Sequence, residues 1–290
     1  MKNIPKIILE ENLDLNRETD LFLSLLHHHY YVQNRNFIFQ AFPELKKLLE
    51  KQNKEKQIIK SFISKFYSNN KSKIHKIIQK NKNLLDKKSK LALMALLEIM
   101  DYQYDKPVIY KAVPTILPFS PFGNNVFYFS ILGEIKGKTG KNILAIGIHE
   151  ISHFIFLKQL KMIENKKGII FPEDVKNYLK EALAVVILNQ KPLCNILNLK
   201  NYKGNPEIQN LRIEKPDGTI KTFTDFLDEY YDAIKIKKQE SFSIFLEKII
   251  NILLPIASEF TEKRIIWNKY GKEIFNKSEL LEKYSEPIKI

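Results

Sequence analysis

Apolar positions along the first hundred residues recur at the spacing of helices. Ile58, Ile59, Phe62, Ile63 and Phe66 mark one stripe, Ile74, Ile77 and Ile78 a second, and Leu91, Leu93, Leu96 and Leu97 a third. Gly is absent from this stretch and Pro is rare, which suits packed helices. The pattern changes near Tyr102. Pro107, Pro114, Pro118 and Pro121 follow in quick order, with Gly123 close behind. Between them, Val108-Ile109-Tyr110 and the run from Val126 to Leu132 are rich in β-branched and aromatic residues and predict strands. Gly133, Gly137 and Gly140 mark a turn region, and a helix is expected from about Lys141 to Leu160. Pro172 suits the first turn of a further helix running to about Asn189. Leu211 to Phe223 predicts a hairpin around Pro216-Asp217-Gly218, with Thr224 or Asp225 capping the helix that follows. The rest, Ser241 to Ser258 and Glu262 to Tyr284, again has helical spacing.

These elements predict an α+β protein that is mostly helical. A helical N-terminal region over 1–100 precedes a core with a small mixed sheet and an active-site helix over 101–200. A hairpin and a helical region follow over 201–290. With 290 residues the chain is long enough for one large domain or two modest ones.

Composition adds little until charge is considered. The hydrophobic share of 44% and charged share of 28% are those of an ordinary globular chain. The net charge of +14 is concentrated: residues 51–90 hold 13 Lys against two acidic residues, Glu55 and Asp86. Such a surface attracts nucleic acid, anionic lipid or an acidic protein. Lys greatly outnumbers Arg, however, and Arg is the better residue for phosphate forks and base edges, so a solvated helix face is expected and nucleic-acid binding is not. Cys194 is the only cysteine, which excludes an intrachain disulfide and a Cys-rich zinc site. No long apolar segment follows Met1, and the apolar run from Ile143 to Leu157 reads as too short and too polar to span a bilayer. The expectation is a cytoplasmic protein without a transmembrane segment.

The chemistry concentrates in one segment, His149-Glu150-Ile151-Ser152-His153. Residues four apart on a helix lie a turn apart on one face, so His149 and His153 present two imidazoles to one point, as a tetrahedral Zn2+ requires. Glu150 lies one step round the helix. It reaches a zinc-bound water, whose pKa the metal lowers, and takes its proton as it attacks a carbonyl. Ile143, Leu144, Ile146, Ile148, Phe154, Ile155 and Leu157 flank the motif, and burying two His and a Glu among them is costly without a partner such as a metal. Gly147 leaves room for a close approach.

An open catalytic site needs a third protein ligand. No His follows His153; the positions where one would follow closely are Phe156 and Gln159. His27, His28, His29 and His75 lie far upstream, the first three reading as a helix-end or core feature. Glu181, mid-helix in Tyr178-Leu179-Lys180-Glu181-Ala182-Leu183-Ala184, is the favoured carboxylate. Glu173 and Asp174 are rivals, but acidic residues in a first helical turn are explained by the helix dipole.

The segments His149-Glu150-Ile151-Ser152-His153 and Glu181-Ala182-Leu183-Ala184 resemble the gluzincin group of zinc metallopeptidases. The resemblance covers about 105–190. It implies a zincin-like core, zinc held by His149, His153 and Glu181, Glu150 as catalytic base, a peptide or protein substrate, and an edge strand along which substrate lies, a place that Val126 to Leu132 fits. The gap from His153 to Glu181 is longer than in thermolysin-like enzymes, whose spacing falls nearer Glu173, so Glu173 stays open as third ligand. Chemistry of this kind also wants a donor for the developing oxyanion, and with no downstream His the expected type is Tyr: Tyr230 and Tyr231 first, Tyr270 next.

Two other classes share parts of this pattern. Glu150-Ile151-Ser152-His153 is also a Glu-x-x-His unit of the di-iron kind, but no second such unit accompanies it: the residues three before the other His are Ser24, Leu25, Leu26 and Ser72. The remaining alternative is a non-catalytic helical binding protein with a structural or vestigial metal site, working through the Lys-rich surface of 51–90.

Overall fold

A computed structural model describes residues 3–51, 54–138 and 142–290. Gly140 and Lys141, expected to close a turn and open a helix, lie outside the described residues, as does the Met1-Lys2 start. The described chain is mostly helical with two small sheets. It divides into two compact units, each assembled from separated segments.

One unit comprises Pro5–Lys90 and Pro107–Gly147. It opens on a strand, β1 (Lys6–Leu9), where the sequence reading expected only helix. Four residues between Pro5 and the charged run that follows are too few for periodicity to register. Then come α1 (Leu15–Leu26), α2 (Gln33–Ala41), α3 (Pro43–Leu49) and α4 (Glu55–Ile99), the last continuous over 45 residues. The Asp14 side chain caps α1 by accepting from the backbone N–H of Asn16 and Arg17. The predicted strands are present as β2 (Ile109–Thr115) and β4 (Val126–Ser130), with the two-residue β3 (Phe122–Gly123) beside β4. The sheet order is β1-β2-β4-β3, parallel across β1, β2 and β4 and antiparallel at β3. Tyr110, Ala112, Phe127 and Phe129 are buried on one face at a period of two, and Val113 and Thr115 are buried on the other face as well. A short helix, α5 (Leu132–Ile135), takes over where the strand was expected to end.

The helix that follows, α6 (Ile143–Lys167), runs from this unit into the other. Asn142 caps it, accepting from the N–H of Leu144 at 2.9 Å. With 25 residues it is longer than the sequence reading allowed, and by length and composition alone it is able to cross a membrane. Most of its apolar stretch, 78%, is buried inside the protein, as in a core helix. Gly147 meets not a backbone but an aromatic ring: a Cβ there would stand 2.9 Å from Phe127 Cζ.

The second unit comprises 3–4, Leu91–Lys106 and Ile148–Ile290. Its axis is α7 (Glu173–Leu188), which packs against neighbours on several sides: α8 (Lys191–Leu197), α9 (Pro206–Gln209), α10 (Phe223–Tyr231) and α12 (Ala257–Tyr270), with α11 (Phe242–Leu253) preceding α12. Pro172 is the N-cap of α7, one residue earlier than the sequence reading placed it. The predicted hairpin is present as β5 (Arg212–Glu214) and β6 (Ile220–Thr222), joined in parallel by the C-terminal β7 (Ile288–Lys289) after α13 (Ser278–Ser285). The cap of α10 is Thr222, not Thr224 or Asp225; its hydroxyl accepts from the N–H of Asp225, because the hairpin ends directly in the helix. Phe223, Phe226, Phe242, Phe245 and Phe260 are fully buried.

Candidate metal centre

Two helices of the second unit supply the site. On α6, His149 and His153 meet edge to face a turn apart, with ring centroids 4.3 Å from each other. On α7, Glu181 faces them. Its Oε2 lies 3.4 Å from His149 Nε2, and its Oε1 lies 3.9 Å from His153 Nε2. Suitable atoms of all three residues fall within 4.8 Å of one another. Ligands on a tetrahedral zinc, each at about 2.1 Å, stand roughly 3.4 Å apart. The donor set of two imidazoles and a carboxylate is thus chemically and dimensionally fit for a divalent cation.

The surroundings are dry. His149 is 9% exposed, Glu150 5% and His153 1%. Glu181 is the outlet to solvent, its side chain 26% exposed. Glu150 spreads its two oxygens between the rings: Oε2 is 3.3 Å from His153 Nδ1, and Oε1 is 4.0 Å from His149 Nε2. Ser152 turns inward on the helix itself, donating to His149 O at 2.6 Å.

Electrostatics pull the three donors in different directions. Burial pushes the Glu181 carboxyl up, but His153, Lys180 and His149 together hold it well below the usual carboxylate range. Burial likewise drives His153 down, favouring the neutral ring that ligates metals. His149 goes the other way: burial lowers it, but Glu181 and Glu150 outweigh that and raise it. Two carboxylates in a dry pocket call for positive charge, and a divalent cation answers the same demand.

Two groups at the site escaped the sequence reading. Tyr202, in the loop between α8 and α9, places its hydroxyl 3.1 Å from His149 Nδ1. Burial, with Glu181 and Glu150 near, pushes its pKa up, so the group stays a neutral phenol. Nothing in the spacing announces a loop residue 53 positions from its partner. Lys180 is 6% exposed, and its Nζ lies 3.4 Å from Glu181 Oε1 and 3.3 Å from Asn177 Oδ1. Its signal was visible: a lysine mid-helix in an apolar run, next to the favoured ligand.

The other candidates stand elsewhere. Glu173 is in the first turn of α7, its side chain 62% exposed, accepting from Asn177 Nδ2 at 2.9 Å and pairing with Lys176 at 3.2 Å. Asp174 accepts from the Thr261 hydroxyl at 2.8 Å. Tyr231 is buried in α10 and donates to Ile99 O at 3.3 Å. Tyr230 packs its ring on Phe226, and Tyr270 lies at the end of α12 beneath Lys269. His27 is the C-cap of α1 and pairs with Glu55, while His28 Nδ1 accepts from the N–H of Tyr30 and Tyr31, so that group is a helix-end feature. Cys194 donates to Leu188 O.

No family model, curated protein or solved structure matches the chain.

Proposed function

We propose that this chain is a zinc-dependent peptidase of the gluzincin kind, with His149, His153 and Glu181 holding the metal and Glu150 as the base. The observation that carries this reading is the convergence of the three donor side chains with a fourth, Glu150, that a purely structural zinc would not need. Zinc, when bound, supplies Lewis acidity, acidifying water and polarising a carbonyl oxygen. The chain's own groups do the rest. Glu150, fixed on α6 and nearly dry, accepts the proton of the attacking water on a carboxylate oxygen. It returns that proton to the amine nitrogen as the peptide C–N bond breaks. Burial of the cluster lowers the local dielectric and strengthens each of these interactions. Substrate approaches from the side of Glu181, the group open to solvent.

The test is the purified full chain with one equivalent of Zn2+, assayed against a peptide library. Glu150→Gln is expected to keep the metal and lose hydrolysis by two orders of magnitude or more. Retained turnover in that variant excludes Glu150 as base, and a wild-type chain that binds no zinc excludes the whole reading.

A further inference from the structure

The two nitrogens of His149 face different partners. Nε2 looks toward Glu181 Oε2 at 3.4 Å, and Nδ1 toward Tyr202 Oη at 3.1 Å. An imidazole that offers the Nε2 lone pair to a cation carries its proton on Nδ1. That N–H, on a ring 9% exposed, needs an acceptor, and the phenol oxygen lies in hydrogen-bonding range.

Tyr202 is itself held in place. The Asn189 side chain clasps its backbone twice: Nδ2 donates to Tyr202 O at 2.7 Å, and Tyr202 N–H donates to Asn189 Oδ1 at 2.8 Å. Asn189 is the C-cap of α7, the helix that carries Glu181. Two residues beyond Tyr202, Gly204 adopts φ +70, and a Cβ there would stand 2.6 Å from Val185 Cγ2, again on α7. One helix therefore sets both the carboxylate that faces Nε2 and the phenol that faces Nδ1.

We propose that Tyr202 is a positioning residue of the metal centre: its hydroxyl oxygen accepts the Nδ1–H of His149, selecting the tautomer whose Nε2 is free and holding the ring toward Glu181, while Asn189 holds Tyr202. The inference rests on the reading of His149, His153 and Glu181 as metal ligands. Outer partners of ligating histidines are commonly carboxylates or backbone carbonyls. A neutral phenol fixes the same tautomer without adding a third negative charge to a pocket that already holds Glu150 and Glu181.

The experiment measures Zn2+ affinity by chelator competition on the full chain, for wild type, Tyr202→Phe and Asn189→Ala. The Phe variant keeps the ring and loses only the oxygen. Its zinc affinity is expected to fall about 10–100-fold, the range for lost outer-shell partners, and Asn189→Ala to shift it in the same direction. Long-range 1H–15N spectra of the zinc-loaded wild type are expected to show His149 protonated at Nδ1, a readout that holds even if a variant fails to fold. An Nε2–H tautomer, or a Phe variant within twofold of wild-type affinity, overturns the proposal. Unchanged affinity with lost turnover does so too, making the hydroxyl a catalytic donor instead. A wild type that binds no zinc fails differently, since it removes the metal reading on which the inference rests.

Discussion

His149 Nε2 and Glu181 Oε2 stand 3.4 Å apart, although 32 residues and a helix-to-helix connection separate them along the chain. That connection is itself built. Glu164 of α6, 6% exposed, accepts from the N–H of Phe171 at 2.9 Å, and Phe171 is buried. A buried acceptor tied to a buried backbone donor fixes where α7 begins, and the eight residues from Glu173 to Glu181 then carry the carboxylate two turns further along. The position of Glu181 thus follows from where α7 starts.

This gives the first prediction, on the ligands. His149→Ala, His153→Ala and Glu181→Gln are each expected to weaken zinc binding by more than the roughly 100-fold of an outer-shell loss. Glu173→Ala, on an exposed carboxylate paired to Lys176, is expected to leave it within about twofold. Inductively coupled plasma mass spectrometry after dialysis against chelator reads both. Zinc lost from Glu173→Ala and kept by Glu181→Gln reverses the assignment.

Tyr231 offers a contrast with Tyr202. Its hydroxyl serves Ile99 O at 3.3 Å, inside the second unit. Tyr231→Phe leaves that carbonyl short of a partner and is expected to cost about 1 kcal/mol of stability. Zinc affinity and turnover are expected to stay at wild-type values. Denaturant melts and peptide assays on the same preparation check this, and a tenfold loss of turnover with unchanged stability would restore Tyr231 as the oxyanion donor.

A third prediction concerns pH. Glu18 on α1 is 3% exposed; its Oε1 accepts from the Thr115 hydroxyl at 2.7 Å and from the N–H of Ile116 at 2.9 Å. Burial raises its pKa from 4.5 to about 7, against the pull of those two donors. The folded protein therefore binds this proton more tightly than the unfolded chain. The contribution to stability is full below pH 4.5 and is lost as the pH rises through 7, by an amount on the order of 3 kcal/mol. Glu18→Gln removes the titration while keeping an acceptor oxygen. Its stability is expected to fall less than that of wild type between pH 5 and pH 8, and equal falls would sink the assignment.

Gly147→Ala sets two effects against each other. Replacing a mid-helix glycine gains up to about 1 kcal/mol in helix propensity. The new methyl would stand 2.9 Å from Cζ and 3.4 Å from Cε2 of Phe127, a ring with no exposed surface, and 3.5 Å from Ile7 Cδ1. Overpacking of a closed core costs about 1–3 kcal/mol, so net destabilisation is expected in thermal melts. A stabilised variant would mean that the Phe127 ring yields freely.

Which parts of this were readable in advance divides along physical lines. The motif helix, its two histidines, β2, β4, the hairpin of β5 and β6, and α7 follow from local periodicity and turn residues, because those signals come from neighbours in the chain. The strand β1 did not register, since four residues carry little period and its identity comes from pairing with β2, a hundred residues away. The full length of α6 was also hidden: Lys158, Lys161 and Lys166 look like the end of an apolar run, yet on a helix buried on one side they occupy the solvent face.

The same division holds at the site. The sequence by itself determined that two imidazoles share a helix face, because i and i+4 meet on any α-helix whatever surrounds it. It also narrowed the third donor to a carboxylate, since no His follows His153. It favoured Glu181 and left Glu173 open; only the tertiary structure set Glu181 against the two histidines and Glu173 on the surface, brought Tyr202 to Nδ1 of His149, and packed Tyr230 and Tyr231 elsewhere. Those outcomes depend on the start of α7, on the clasp of Asn189 and on which groups burial leaves in need of partners. The start of α7 is marked locally by Pro172, but the clasp and the burial are properties of packing between separate segments, which no local pattern encodes.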